Sequence, residues 1–186
     1  MRVTLLHATD MDLMDNALGQ CYNQGPKETE DDKFTRLNKV CNLYKHDSLL
    51  EFGNATWEVE TSAKCLLQLT RHRHASYAVK STRYTLDKSE LIFEKTGDPD
   101  IDLELSKYKD TIKHMMTQGK SNDAVSMMLP MAYQYRYQFQ MNYRALKNFM
   151  HLRLDKHAQS EIRDLATRMF ESLPLSIQKL IKQKGK

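Results

Sequence analysis

Residues 71–84 read RHRHASYAVKSTRY. Arg71, Arg73, Lys80 and Arg83 stand there with His72 and His74, and no carboxylate interrupts them. The exclusion of acids is wider than this stretch. No Asp or Glu occurs from Thr61 to Leu86, nor from Ala124 to Leu154. The two windows hold nine Lys and Arg, while the rest of the chain holds 19 Lys and Arg and all 24 acids. Such segregation suggests a positive site on a mildly acidic body. A carboxylate in the wall of a phosphate site would repel its ligand. Arginine suits the task, because its planar fork donates two hydrogen bonds to a phosphate or a planar oxygen edge. The alternative is chance clustering on a solvated face. The acidic remainder argues against a nucleic-acid surface, which would spread basic residues over a whole face or arm.

A second cluster, NYRALKNFMHLRLDKH, spans residues 142–157. On a helix Arg144 and Asn148 are i,i+4 neighbours, and Arg153 and His157 form a second such pair on roughly the opposite side. An amphipathic helix with one wet face has no need of polar groups on both. Either Arg153 pairs with Asp155 or Glu161, or the helix stands between two polar ligands. Other chemistries lack their signatures. The chain has no G-x-S-x-G elbow, P-loop or GxGxxG turn. His72 and His74 lie two apart, but no third ligand is suggested, so no metal site is read. Cys21, Cys41 and Cys65 form no CxxC pair and sit in no basic cluster, so no activated thiolate is indicated. A site rich in Arg, Ser, Gln and Asn without a nucleophile fits anionic ligands, and chemistry carried by a cofactor.

The elements that must position these groups follow from periodicity. A chain of 186 residues, 40% hydrophobic and 28% charged, suits one globular domain over 1–186. No apolar run approaches the roughly 20 residues of a membrane span. The N-terminus lacks the pattern of a signal peptide, and an odd number of thiols fits a reducing, cytoplasmic setting. Residues 2–7 read as a strand and 11–20 as a helix. Phe34, Leu37, Val40, Cys41 and Tyr44 recur at helical spacing within 31–46. Residues 53–61 alternate as a strand. Residues 62–73 read as a helix capped by Ser62, with its basic end where the helix dipole favours cations. Residues 77–86 read as extended or loop, and 101–119 as an amphipathic helix closed by Gly119. The stretch YQYRYQFQM at 133–141 alternates without exception, which makes it a half-buried strand. Helices follow at 144–154 and 158–172, and residues 179–186 read as a flexible tail. Strands and helices in this order indicate an α+β domain.

The spacing Arg71-His72-Arg73, seven residues, Ser81-Thr82-Arg83-Tyr84 resembles the RHR-x7-S-x-R signature of flavin-dependent thymidylate synthases. HDSLLE at 46–51, Leu129-Pro130 before the strand, Asn142-x-Arg144 with Asn148, and LRLDKHAQSEIR at 152–163 resemble further blocks of that family in order. The resemblance runs from about His46 to Leu173 and implies an antiparallel sheet with helices. It also implies a cytoplasmic homotetramer whose sites are shared between subunits, with neither nucleic acid nor membrane as partner. FAD would be the cofactor, NADPH the reductant, methylenetetrahydrofolate the one-carbon co-substrate and dUMP the substrate. The implied reaction is reductive methylation of dUMP to dTMP with release of tetrahydrofolate.

On the family pattern, Ser48, Glu51, Arg71, His72, Arg73, Asn142, Arg144, Asn148 and His157 would bind the flavin. Gln68, Arg71, Lys80, Ser81, Thr82, Arg83 and Arg153 would hold dUMP. Arg153 would lie against the uracil, and His46 near the flavin where folate or nicotinamide approaches. Departures exist. Ala78-Val79 replace the common Asn-Glu, Ser126 stands where many members carry Arg, and Phe52 where a second His is usual. Lys80 is expected to replace part of the missing arginine's charge. These changes keep two other readings in play: C5 methylation or hydroxymethylation of a different pyrimidine nucleotide, and a non-catalytic nucleotide-binding relative.

Overall fold

The structure is a computed structural model and describes residues 1–182. Strands β1 (Arg2–Ala8), β2 (Asn54–Ser62), β3 (Ala75–Val79) and β4 (Gln134–Asn142) make one sheet in the order β1-β2-β4-β3, each neighbouring pair antiparallel. Alternation decides which face is buried. Ala55, Trp57 and Val59 of β2 point inward, opposite Met141, Phe139 and Tyr137 of β4. Arg136, Gln138 and Gln140 face solvent on the other side. There Arg136 pairs with Glu58 at 2.8 Å.

Helices cover the inner face: α1 (Asp12–Tyr22), α2 (Glu30–Asn38), α3 (Ala63–Leu69), α7 (Tyr143–Arg153), α8 (Ser160–Ser172) and α9 (Leu175–Ile181). Trp57 stacks on Phe139 at 6.1 Å, and its indole N–H donates to Ser172 Oγ at 2.9 Å. This gives a buried indole the polar partner it requires. A smaller cluster of Leu86, Leu91, Ile112, Val125 and Tyr133 is gathered by α4 (Thr82–Thr85), α5 (Pro99–Thr117) and α6 (Asn122–Ser126). Among the described residues no helix is long and apolar enough to cross a membrane.

Several expectations hold. Ser62 caps α3, its Oγ accepting from the Cys65 amide at 3.1 Å. Gly119, at φ +69°, follows the end of α5, the left-handed position glycine fills most easily. Three expectations change. The helix from Ser62 stops at Leu69 rather than running to Arg73, because the Tyr77 hydroxyl, contacting both the Leu69 carbonyl (2.7 Å) and the His72 carbonyl (3.0 Å), draws the chain into a turn. The 77–86 segment is extended at first, as expected, where it finishes β3, but it then makes the short helix α4. The tail expected from Lys179 is α9 up to Ile181, and Ile177, Leu180 and Ile181 are buried in the core. Residues 183–186 of that expectation lie outside the described residues.

The chain after α2 continues as a π turn over Lys39–Leu43, passes Lys45 at φ +63°, and makes a short 3-10 turn at Asp47–Glu51. Gly53 then lets it pass α7. A Cβ there would come within 2.4 Å of the Tyr143 ring, and the Gly53 carbonyl accepts from the Tyr143 amide at 2.9 Å.

Candidate active site

The helix α7 begins where β4 ends, so residues 141–153 leave the sheet together. Asn142 caps the helix, its Oδ1 accepting from the Ala145 amide at 2.8 Å. The turn after α3 brings Arg71–His74 to the same place, since Ala75 at the start of β3 is opposite Met141. A cleft of about 820 Å³ lies between them. Arg71, His72, Arg73, Asn142, Arg144, Asn148, Arg153 and Glu51 all line it. Seven of these belong to the set expected at the flavin and Arg153 to the set expected at dUMP, and all but Glu51 come from the two acid-free windows. Met141, Ala145, Leu152 and His74 complete the wall. Of these, Leu152 was detectable as the next i,i+4 position after Arg144 and Asn148.

The cleft is strongly positive. Glu51 is its one lining carboxylate, and it is paired with Arg144. Among the described residues, no carboxylate lies within ion-pair distance of Arg71, Arg73 or Arg153. Of the two alternatives for Arg153, pairing with Asp155 or Glu161 does not occur, because both acids are otherwise engaged. Glu161 accepts from the Ser62 amide (3.0 Å) and hydroxyl (2.6 Å), and Asp155 accepts from the His157 amide at 2.8 Å. Arg153 instead donates through Nε to His72 Nε2 at 3.0 Å. The acceptor must be a neutral imidazole. Burial and then the Arg153 charge hold the His72 pKa down to about 4, and the ring rests edge-on against Phe149 with centroids 4.8 Å apart.

Arg153 was expected on the helix face away from Arg144. It stands at the last turn of α7 and reaches the same cleft from its end, so one cavity meets both arginines. His157 lies beyond the helix end, exposed, and is not in the lining. His46 and Ser48 are exposed on the neighbouring 3-10 segment, also outside the lining. Gln68 contacts Gln159 at 3.4 Å.

Lys80, Ser81, Thr82 and Arg83 sit at the far end of β3. At about 3.3 Å per residue, the extended chain from His74 to Lys80 spans roughly 20 Å. Arg83 lies 3.8 Å from Asp123 and over the Tyr84 ring, largely exposed. One chain therefore brings together the residues expected around the flavin and Arg153, but not those expected around the phosphate of dUMP.

The His72 environment makes a measurable demand on stability. Between pH 6.5 and about 4 the unfolded chain protonates this imidazole and the native one does not, so stability falls as pH falls through that window. Denaturant unfolding at a series of pH values is expected to show a shallower slope there for His72→Gln than for the parent. Equal slopes would contradict a neutral, half-buried His72.

Comparison with known proteins gives the family and the fold. The sequence model of the family described as "Thymidylate synthase complementing protein" matches residues 4–174. The flavin-dependent thymidylate synthase of Campylobacter jejuni is 33% identical, over 94% of this chain and 92% of that protein. The enzyme of the same name from Wolinella succinogenes is 32% identical over 94% of each. Among solved structures, thymidylate synthase X from Helicobacter pylori, crystallised with FAD and dUMP, superposes with a TM-score of 0.89 at 25% identity, covering 98% of both chains.

Proposed function

This chain belongs to the flavin-dependent thymidylate synthase family, and from that premise we propose that it converts dUMP to dTMP by reductive methylation. The single observation that carries the reading is the cleft in which Arg71, Arg73, Arg144 and Arg153 converge with one carboxylate between them. Its volume falls in the range of roughly 300–1,000 Å³ usual for ligand sites. It also begins at the N-terminus of the 11-residue α7, where amide dipoles favour an anion. These features fit a dinucleotide with a pyrophosphate.

In this reading Arg71 and Arg73 grip the flavin nucleotide, with Asn142, Arg144 and Asn148 at the start of α7 beside them. FAD, reduced by NADPH, supplies the hydride, and methylenetetrahydrofolate supplies the carbon. Arg153 lies against the uracil, where its fixed charge stabilises negative charge on the ring as the carbon is transferred. The bond from Arg153 Nε aligns its remaining N–H groups, and neutral His72 serves as the anchor. His46 and Ser48 border the approach of folate or nicotinamide, and His157 contributes from the segment after α7.

The roughly 20 Å between the two ends of β3 supports a site completed by another copy of the chain. Gln68, Lys80, Ser81, Thr82 and Arg83 of that copy would hold the dUMP phosphate, as a homotetramer of cytoplasmic subunits allows.

The test is direct. Purified protein is expected to be yellow, with the absorption bands of oxidised flavin. With dUMP, NADPH and methylenetetrahydrofolate it should form dTMP and tetrahydrofolate. Parallel incubations with UMP and dCMP, read by mass, check the pyrimidine. Colourless protein that takes up no FAD, or turnover only of another pyrimidine, would overturn the assignment.

A further inference from the structure

Lys147 is a cation that the cleft does not use. It stands on α7 between Arg144 and Asn148, yet its side chain turns inward and is only 6% exposed. Its Nζ donates to Asp47 Oδ1 at 2.7 Å and to Asn42 Oδ1 at 3.0 Å. Asn42 passes the contact on, donating to Asn38 Oδ1 and to the Leu180 carbonyl of α9, each at 2.9 Å. Lysine is almost never this buried without partners, and an apolar side chain would fill the space without needing any.

The partners of Lys147 sit on both sides of a backbone that needs holding. Asn42 lies in the π turn and Asp47 opens the 3-10 turn. Between them Lys45 has φ +63°, a region non-glycine residues rarely enter, and the His46 amide donates back to the Val40 carbonyl at 3.0 Å. Single π turns recur at functional sites, and unusual backbone persists where its surroundings over-determine it. The far end of this segment has its own ties to α7, through Glu51 to Arg144 and Gly53 to Tyr143. Lys147 is the tie from α7 to the near end. The exposed His46 and Ser48 flank Asp47 there.

We infer that Lys147 is a positioning residue: gripping Asp47 and Asn42 from α7, it sets where His46 and Ser48 stand relative to Arg144 and Asn148 on the same helix. It touches no ligand itself. The ligand-binding part of this inference rests on the flavin reading above; the mechanical part does not.

The experiment uses the full-length protein with Lys147→Met and Asp47→Asn. The second variant keeps an acceptor for the ammonium and serves also if the first folds poorly. Met169→Ala, a cavity in α8 remote from the segment, controls for lost stability alone. Hydrogen exchange on ligand-free protein reads the grip, and FAD titration reads its consequence.

Lys147→Met is expected to speed exchange in residues 42–51 roughly tenfold or more, the scale of one lost charge-assisted hydrogen bond. The central strands should stay protected. FAD affinity should fall by a similar factor, with Asp47→Asn changing both in the same direction by less. Met169→Ala should leave the 42–51 segment no more affected than the rest of the core. Unchanged exchange over 42–51 in both segment variants overturns the inference. So does faster exchange with FAD affinity no lower than in Met169→Ala. A parent protein that binds no FAD is a separate result, and it sinks the flavin reading instead.

Discussion

Arg153→Ala is expected to lower kcat by roughly 10²–10³-fold, the loss typical when one preorganised donor to developing negative charge is removed. The structure explains why a fold defect should not accompany it. Among the described residues Arg153 pairs with no acid: Asp155 and Glu161, the alternative partners in the sequence, are held by His157 and Ser62. Its one hydrogen bond among the described residues is to His72. The substitution therefore removes a charge pointed at the cleft without leaving a buried carboxylate unpaired. It should also register on His72. With the neighbouring positive charge gone, the imidazole pKa should rise from about 4, while burial still holds it below the ordinary value of 6.5. An NMR titration of the ring beside a kcat measurement tests both. A kcat within a few-fold of the parent would remove Arg153 from the mechanism. Arg153→Lys should recover only part of the rate, because a lysine keeps the charge but loses the fork that can hold His72 and a planar ligand edge together.

Arg73→Glu should weaken FAD binding by roughly 10²-fold or more. A hydrogen bond to a charged group contributes about 1.5–3 kcal/mol, and a carboxylate facing a pyrophosphate adds like-charge repulsion of several kcal/mol. Arg73 is exposed and makes no ion pair among the described residues, so melting should barely move, as for most surface substitutions. Arg73→Gln, which removes the charge without reversing it, should lose about tenfold. Flavin affinity unchanged in Arg73→Glu would mean that the cleft is not where the dinucleotide lies.

Much of this was legible from side-chain types alone, and what escaped did so for identifiable reasons. The alternation from Tyr133 to Met141 showed β4 and its buried face, because a period of two has no other regular solution. The absence of acids marked both walls of the cleft, since that signal depends on composition and not on contacts. The end of α3 was invisible because the Tyr77 hydroxyl, eight residues from Leu69 and five from His72, contacts the carbonyls there. The helix phase that set Arg153 opposite Arg144 was sound, but α7 ends at Arg153, and an end residue reaches around its own helix. The helix α9 was hidden by Lys179 and the lysines that follow it in the sequence. The apolar spacing of Ile177, Leu180 and Ile181 was the available sign, and it was outweighed by the charged residues that follow. The separation of Ser81–Arg83 from Arg71–Arg73 was a matter of arithmetic on strand length, once β3 was known to be extended.

The sheet order bears on how this protein is made. The inner strands β2 and β4 are far apart in the chain, Trp57 facing Phe139 82 positions later, and among the described residues the indole of Trp57 is satisfied only by Ser172. The last layer over the core comes from Leu180 and Ile181. During translation the N-terminal half thus leaves the ribosome with an incomplete sheet and a buried-type tryptophan still uncovered. Residues 54–62 can then pair with β1 on one edge only, and Ala55, Trp57 and Val59 stay uncovered, a segment for chaperones to shield until the final helix is released. Truncating the gene ahead of Leu175 should therefore reduce the yield of folded product more than removing twelve surface residues would suggest.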